Sequence, residues 1–108
     1  MNTLTIEKKT LNIQVDSLSA RVGNTPLLPL QCITLGLPAS VSIYAKAEWF
    51  NPGGSIKDRA ALNIIQTAIA NGELKPGKRL LDSTSGNTGI AYATFGASMG
   101  IPVTLALP

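Results

Sequence analysis

Residues 41–71 read VSIYAKAEWFNPGGSIKDRAALNIIQTAIAN, and residues 79–107 read RLLDSTSGNTGIAYATFGASMGIPVTLAL. A change of hydrophobic period along these two stretches decides the fold class. Val41, Ile43, Ala45 and Ala47 alternate with Ser42, Tyr44 and Lys46, which predicts a strand over 41–47. Asn51-Pro52-Gly53-Gly54 then breaks the chain. Ala61, Ile64, Ile65, Ala68 and Ile69 recur at i, i+3, i+4, i+7 and i+8, the buried face of a helix. Ser55 with Asp58 three residues on signals its start and Asn71-Gly72 its stop, so the predicted helix covers 55–71. After a turn at Pro76-Gly77, a short strand is expected over 79–83. Residues 87–100 are helix-compatible, with Ala91, Ala93, Ala97 and Ser98 small enough to let that helix lie close to a sheet. Gly100 ends it, and a strand over 103–107 follows Pro102. Strand, helix, strand, helix, strand predicts an α/β fold: an open parallel sheet in three layers with right-handed crossovers.

Working outward, 1–40 reads as an N-terminal extension, with short candidate strands at 3–6 and 12–15 and a Pro-punctuated stretch at 25–30. Residues 41–108 read as the α/β subdomain. Gly23-Asn24-Thr25 and Gly86-Asn87-Thr88 share a tripeptide, but their flanks differ, so no internal repeat is present. The sequence stops just after an apolar strand, whereas parallel strands are normally covered on both faces; the expectation is a truncated sheet.

Composition narrows the chemistry. The chain has 108 residues, 44% apolar and 14% charged. Area scaling lets a chain of this mass bury roughly 65% of its surface, enough for one core. With no His and one Cys, neither a Cys/His zinc site nor a Ser-His-Asp or Cys-His catalytic group can be assembled, and no metal site is expected. Cys32 is expected to be a small buried hydrophobe. The net charge of +3 is spread from Lys8 to Arg79 without a dense run, as on a solvated surface. The G-x-x-G of Gly86 and Gly89 could clamp RNA backbone. That loop has no Lys or Arg, however, and the chain has only five aromatic residues, so no nucleic-acid partner is expected. No apolar stretch approaches the ~20 residues that cross a bilayer. The first 20 residues lack the apolar segment of a signal peptide, so a cytoplasmic location without membrane contact is expected.

Two loops fall where strands end and helices begin, the edge at which open α/β sheets gather ligands. The first places Lys57 in the opening turn of a helix. There the helix dipole, and Arg59 if it turns inward, disfavour an ammonium and favour a nucleophilic amine. The plain alternative is a solvated first-turn lysine. The second loop, Thr84-Ser85-Gly86-Asn87-Thr88-Gly89, gathers hydroxyls, an amide and backbone N–H groups, a receptor for a carboxylate or phosphate. Helix capping is the alternative, but one residue suffices for a cap. Neither loop is a Walker A loop, and no G-x-G-x-x-G occurs.

Gly23-Asn24-Thr25-Pro26-Leu27, Asn51-Pro52-Gly53-Gly54-Ser55-Ile56-Lys57-Asp58-Arg59 and Thr84-Ser85-Gly86-Asn87-Thr88-Gly89, in that order, resemble the cysteine synthase and cystathionine β-synthase family. These are pyridoxal-phosphate enzymes of the tryptophan synthase β-subunit fold, fold type II. The resemblance implies that Lys57 condenses with the aldehyde of pyridoxal 5'-phosphate and later moves the substrate Cα proton. It implies that Asn87 contacts the cofactor 3′ oxygen and that Thr84, Ser85 and Thr88, with the loop backbone at Gly86 and Asn87, bind the substrate α-carboxylate. The implied reaction is β-replacement on O-acetylserine or O-phosphoserine with sulfide, giving cysteine, by an enzyme that is a homodimer when full length. A threonine dehydratase, a threonine synthase, another β-replacement enzyme or an inactive truncated paralogue are the alternatives. Asp82-Ser83 stands where Glu-Pro or Glu-Ala is more usual and leaves the substrate subclass open. The family's Gly-rich phosphate loop and its Ser or Thr at the pyridine nitrogen have no counterpart in these 108 residues. The chain is therefore expected to be an N-terminal portion, inactive alone.

Overall fold

The structure, a computed structural model, describes residues 17–108. The candidate strands at 3–6 and 12–15 lie outside the described residues. In chain order come strand β1 (Leu27–Pro29), strand β2 (Tyr44–Lys46), helix α1 (Lys57–Ala70), strand β3 (Leu80–Ser83), helix α2 (Asn87–Met99) and strand β4 (Val103–Ala106). Short 3-10 turns lie at Leu18–Arg21, Cys32–Thr34 and Glu48–Phe50.

The expected crossover is realised by β3, α2 and β4. The two strands pair in parallel, with Leu80 opposite Val103 and Ser83 opposite Ala106, and the Leu80 N–H extends the ladder to the Pro102 carbonyl. Strand β2 differs from expectation in extent and partner. It is confined to 44–46 and pairs antiparallel with β1, Leu27 opposite Lys46 and Pro29 opposite Tyr44. Val41 is drawn out of it because its N–H closes a turn onto the Pro38 carbonyl, and Ala47 leads into the 3-10 turn. Alternation reveals that a strand exists; it carries no information about which strand lies beside it.

Helix α1 stops where expected. The Asn71 N–H bonds to the Thr67 carbonyl, and Gly72 takes φ +72°, which relieves the strain a side chain would meet there. It starts two residues later than expected, at Lys57, with Ile56 at the cap position and no side-chain cap. Its buried face is also rotated: Asp58, Ala61, Leu62 and Ile65 are inside, while Ile64 and Ile69 are about half exposed. Buried Asp58 belongs to the inner face but is invisible to a purely apolar count.

The core is the seam between the helices, Ala61, Leu62 and Ile65 against Ala91, Tyr92 and Phe95, bordered by Val22, Leu80, Val103 and Leu105. Burying Phe95 or Ile65 completely is worth about 2–3 kcal/mol each. Close approach of α2 to β4 depends on Gly96, where a Cβ would lie 2.4 Å from a Val103 methyl, and on Gly89, where it would meet Thr84 and Leu105. The expected small residues Ala93, Ala97 and Ser98 are exposed instead, because they sit on the other side of α2. The opposite face of β3 is open, with Leu81 70% exposed. Cys32 is exposed, not buried, since no residue of 26–46 is buried among the described residues. No helix of the described residues is long and apolar enough to cross a membrane.

Chain direction places the ends. Helix α1 leads into β3 through 71–79, and β3 leads back into α2 through 84–86, so α1 and α2 begin at one edge and finish at the other. A cavity of about 640 Å³ joins Ile69 of α1, Met99 of α2 and Pro102 at the finishing edge.

Candidate functional site

Lys57 opens α1 at the starting edge, with its side chain exposed and its backbone tied. Its N–H donates to Ser55 Oγ at 3.1 Å. The Ser55 carbonyl accepts from Asn51 Nδ2 at 3.0 Å. Asn51 is buried, and its amide also donates to the Glu48 carbonyl and to Glu48 Oε2, both at 2.8 Å, while its Oδ1 accepts from the Gly23 N–H at 2.9 Å. The loop before Lys57 turns sharply at Gly54, φ +83°, where a side chain would be strained. Gly53 is required for space: a Cβ there would fall 2.3 Å from Asp58 Oδ1. Asp58 itself is fully buried; its Oδ2 accepts from the Gly53 N–H, and its Oδ1 has no partner.

Arg59 does not turn inward toward Lys57. Its guanidinium grips Glu48 through Nε to Oε2 at 2.8 Å and Nη2 to Oε1 at 3.0 Å, a bidentate pair. Thr25 Oγ1 donates to the same Oε1 at 2.6 Å, and Lys46 Nζ donates to the Thr25 carbonyl. Hydrogen bonds from Arg59, then Thr25, hold the Glu48 carboxyl down from 4.5 to about 2, and the Glu48 carboxylate in turn raises Arg59.

The second loop lies at the same edge, between the end of β3 and the start of α2. Thr84 is half-buried, and its Oγ1 accepts from the Gly86 N–H at 3.4 Å; Ser85, Gly86 and Asn87 are exposed and Thr88 half-buried. Gly86 occupies the cap position with no side-chain cap bond. The first amides of α2 have no intrahelical partner in any helix, so they remain open toward the edge. The loop's polar side chains are thus not spent on capping α2. Before the loop, Asp82 stands beside Tyr92, whose phenol is pushed up by burial first and by the Asp82 carboxylate second.

Chain direction therefore sets Lys57 and residues 84–88 at one edge. There the Lys57 side chain is exposed to solvent, and the loop carries hydroxyls and the first N–H groups of α2. The donor set suits a ligand with an aldehyde for the amine and an anionic group for the amides. The sequence assigns no site role to Glu48, Thr25 or Asn51, and to Asp58 only that of a helix-start signal. Asn51 and Asp58 lie within the Asn-Pro-Gly-Gly motif, and Thr25 within Gly-Asn-Thr-Pro. The one signal that they cooperate is that two Asn- and Gly-containing motifs flank a lone Glu48.

A family model described as pyridoxal-phosphate dependent enzyme matches residues 18–108. The chain is 53% identical over 88 residues to a cysteine synthase of Aquifex aeolicus, covering 81% of this chain and 27% of that protein. An O-ureido-L-serine synthase of Streptomyces lavendulae is 46% identical over 85 residues, covering 79% of this chain and 25% of that protein. Among solved structures, O-acetyl serine sulfhydrylase isoform 3 from Entamoeba histolytica superposes with a TM-score of 0.80 at 39% identity, over 95% of this chain and 31% of that one. The chain thus spans less than a third of the length of these relatives.

Proposed function

The chain belongs to the family of pyridoxal-phosphate dependent enzymes, fold type II, and from that premise we propose that it carries the lysine and the anion-binding loop of a β-replacement enzyme that makes cysteine. Its substrates in this reading are O-acetylserine or O-phosphoserine and sulfide, and its cofactor is pyridoxal 5'-phosphate. The supporting observation is the common edge at which Lys57 and residues 84–88 lie, together with the likeness to cysteine synthases and to an O-acetyl serine sulfhydrylase. Residues 41–108 form the cofactor- and substrate-binding subdomain, with 1–40 as its extension, and the full-length enzyme works as a cytoplasmic homodimer.

The residues present fit the cofactor at two points. An exposed lysine amine can reach an aldehyde, and uncapped amides at a helix start accept a negative group without desolvating a competing carboxylate. When bound, pyridoxal phosphate supplies the electron sink for charge that develops at the substrate Cα. Lys57 would hold the cofactor through its aldehyde and would move the substrate Cα proton as general base. Asn87 would contact the cofactor at its 3′ oxygen. Thr84, Ser85, Gly86, Asn87 and Thr88 would bind the substrate α-carboxylate. The positive end of α2 strengthens that grip by an amount typical of a charge at a helix terminus, about 0.3–1 kcal/mol.

The test is an assay of the full-length protein with O-acetylserine and sulfide. Cysteine should form, and Lys57→Ala should abolish both turnover and the long-wavelength absorption of the bound cofactor. Ammonia released from threonine, with sulfide left untouched, would move the protein to the dehydratase branch. The likeness to O-ureido-L-serine synthase favours a second reading, the same reaction with a nitrogen or oxygen nucleophile in place of sulfide. Competition between sulfide and hydroxyurea in that assay separates the two.

A further inference from the structure

We propose that Glu48 is a positioning residue for Lys57, the hub of a clasp in which Thr25, Asn51 and Arg59 converge on one carboxylate and hold the chain on both sides of the lysine. The inference rests on the assignment of Lys57 above. Both Glu48 oxygens are used twice, Oε1 by Thr25 at 2.6 Å and Arg59 Nη2 at 3.0 Å, Oε2 by Asn51 and Arg59 Nε, each at 2.8 Å. Four donors from three separate stretches of chain meet there.

The clasp acts where the backbone needs it. Residues 51–56 contain a proline, two glycines and a left-handed turn at Gly54, and α1 begins without a side-chain cap. Such a segment has little rigidity of its own. Upstream of Lys57, Asn51 passes the constraint on through the Ser55 carbonyl, and Ser55 Oγ receives the Lys57 N–H. Downstream, Arg59 ties the first turn of α1 to the same carboxylate only two residues after Lys57. The lysine side chain itself is exposed, so its reach is set by where its backbone is held. An ion pair at the surface adds little to global stability, and Arg59 is 42% exposed. What four directed bonds supply here is geometry, and misplacing a reacting group by about 1 Å can cost about a hundredfold in rate.

The experiment uses the full-length enzyme, stripped of cofactor and mixed with pyridoxal 5'-phosphate. Attachment is followed by absorbance, fixed with sodium borohydride and located by peptide mass mapping. Glu48→Gln should slow attachment at Lys57 about tenfold, and Thr25→Val, of equal size but without its hydroxyl, about threefold, as expected when charged and neutral hydrogen bonds that position a reactant are lost. Thr25→Ser should restore the wild-type rate. Thermal midpoints measured alongside should not follow these rates, as they would if the clasp served only to stabilise the fold. If Glu48→Gln does not fold, the Thr25 pair decides. Wild-type rates within about twofold in every variant that folds, or a Thr25→Val defect that serine does not repair, would overturn the clasp, since a hydroxyl bond that positions the lysine must show in the rate. Label found in the wild-type protein on another lysine would instead overturn the assignment of Lys57 itself.

Discussion

The helices and strands from Lys57 to Ala106 and the hairpin region 26–46 are both rich in Leu, Ile and Val, yet only the former has an interior. In the first, Ile65 and Phe95 are completely shielded by each other's helices; in the second, Ile33 is 63% and Leu35 82% exposed. A pair of three-residue strands has no layer to pack against and is marginal by itself. The region is secured at its foot, where Ala47 is buried, its N–H bonds to the Pro26 carbonyl, and Thr25 is tied to Glu48. Apolar content alone does not make a core; two elements must present apolar faces of the same period to each other.

Phe95→Ala strikes the buried half hardest. Removing a fully buried ring from the helix seam should cost about 3–5 kcal/mol, read as a lower denaturant midpoint at unchanged slope. A loss under about 1 kcal/mol would mean that the seam is loosely packed and that the contrast between the regions is false. Gly96→Ala comes next. Its new methyl would lie 2.4 Å from a Val103 methyl and 3.0 Å from the Ile101 carbonyl, so β4 must move away from α2 at a cost of about 1–3 kcal/mol.

A smaller effect probes the join between the two regions. Glu48 has its carboxyl lowered from 4.5 to about 2 in the folded protein, chiefly by Arg59. The unfolded chain therefore binds that proton more readily than the native one. The contribution of the carboxylate is whole above pH 4.5 and is lost as pH falls toward 2. Denaturant midpoints measured at about pH 5 and about pH 3 should fall less on acidification in Glu48→Gln than in wild type, because one depressed carboxyl has been removed. Equal falls would show that the clasp does not survive in solution as drawn.

These contrasts also explain what the sequence could disclose. The extent of β3, the stop of α1 at Asn71-Gly72 and the left-handed Gly100 closing α2 are all set within a few residues, and spacing reveals them. That Lys57 opens α1 and that residues 84–86 lead from β3 into α2 is likewise local, and spacing reveals it. What spacing cannot carry is partnership. That β2 lies against β1, that α1 turns Leu62 and Asp58 inward in place of Ile64 and Ile69, and that Cys32 is exposed all follow from contacts between distant segments. The Glu48 hub is the extreme case, joining residues separated by 23 positions on one side and 11 on the other. Each member, read alone, is an ordinary polar residue near a turn.

The weakest perturbation belongs to the exposed half and is the most discriminating there. Leu35→Ala removes a side chain that is 82% exposed, so it deletes almost no buried area and should shift stability by no more than about 0.5 kcal/mol. The relatives of this chain are about three times its length, so, on the reading that it is an N-terminal portion, the same substitution can be made in the 108-residue chain and in the full-length protein. If the loss stays small in both, 26–46 is a surface hairpin held only at its foot. If it grows to about 2 kcal/mol or more in the full-length protein alone, Leu35 has acquired a packing partner there, because only burial gives a leucine truncation that cost. The apolar character of the hairpin would then have its physical cause in a neighbouring layer.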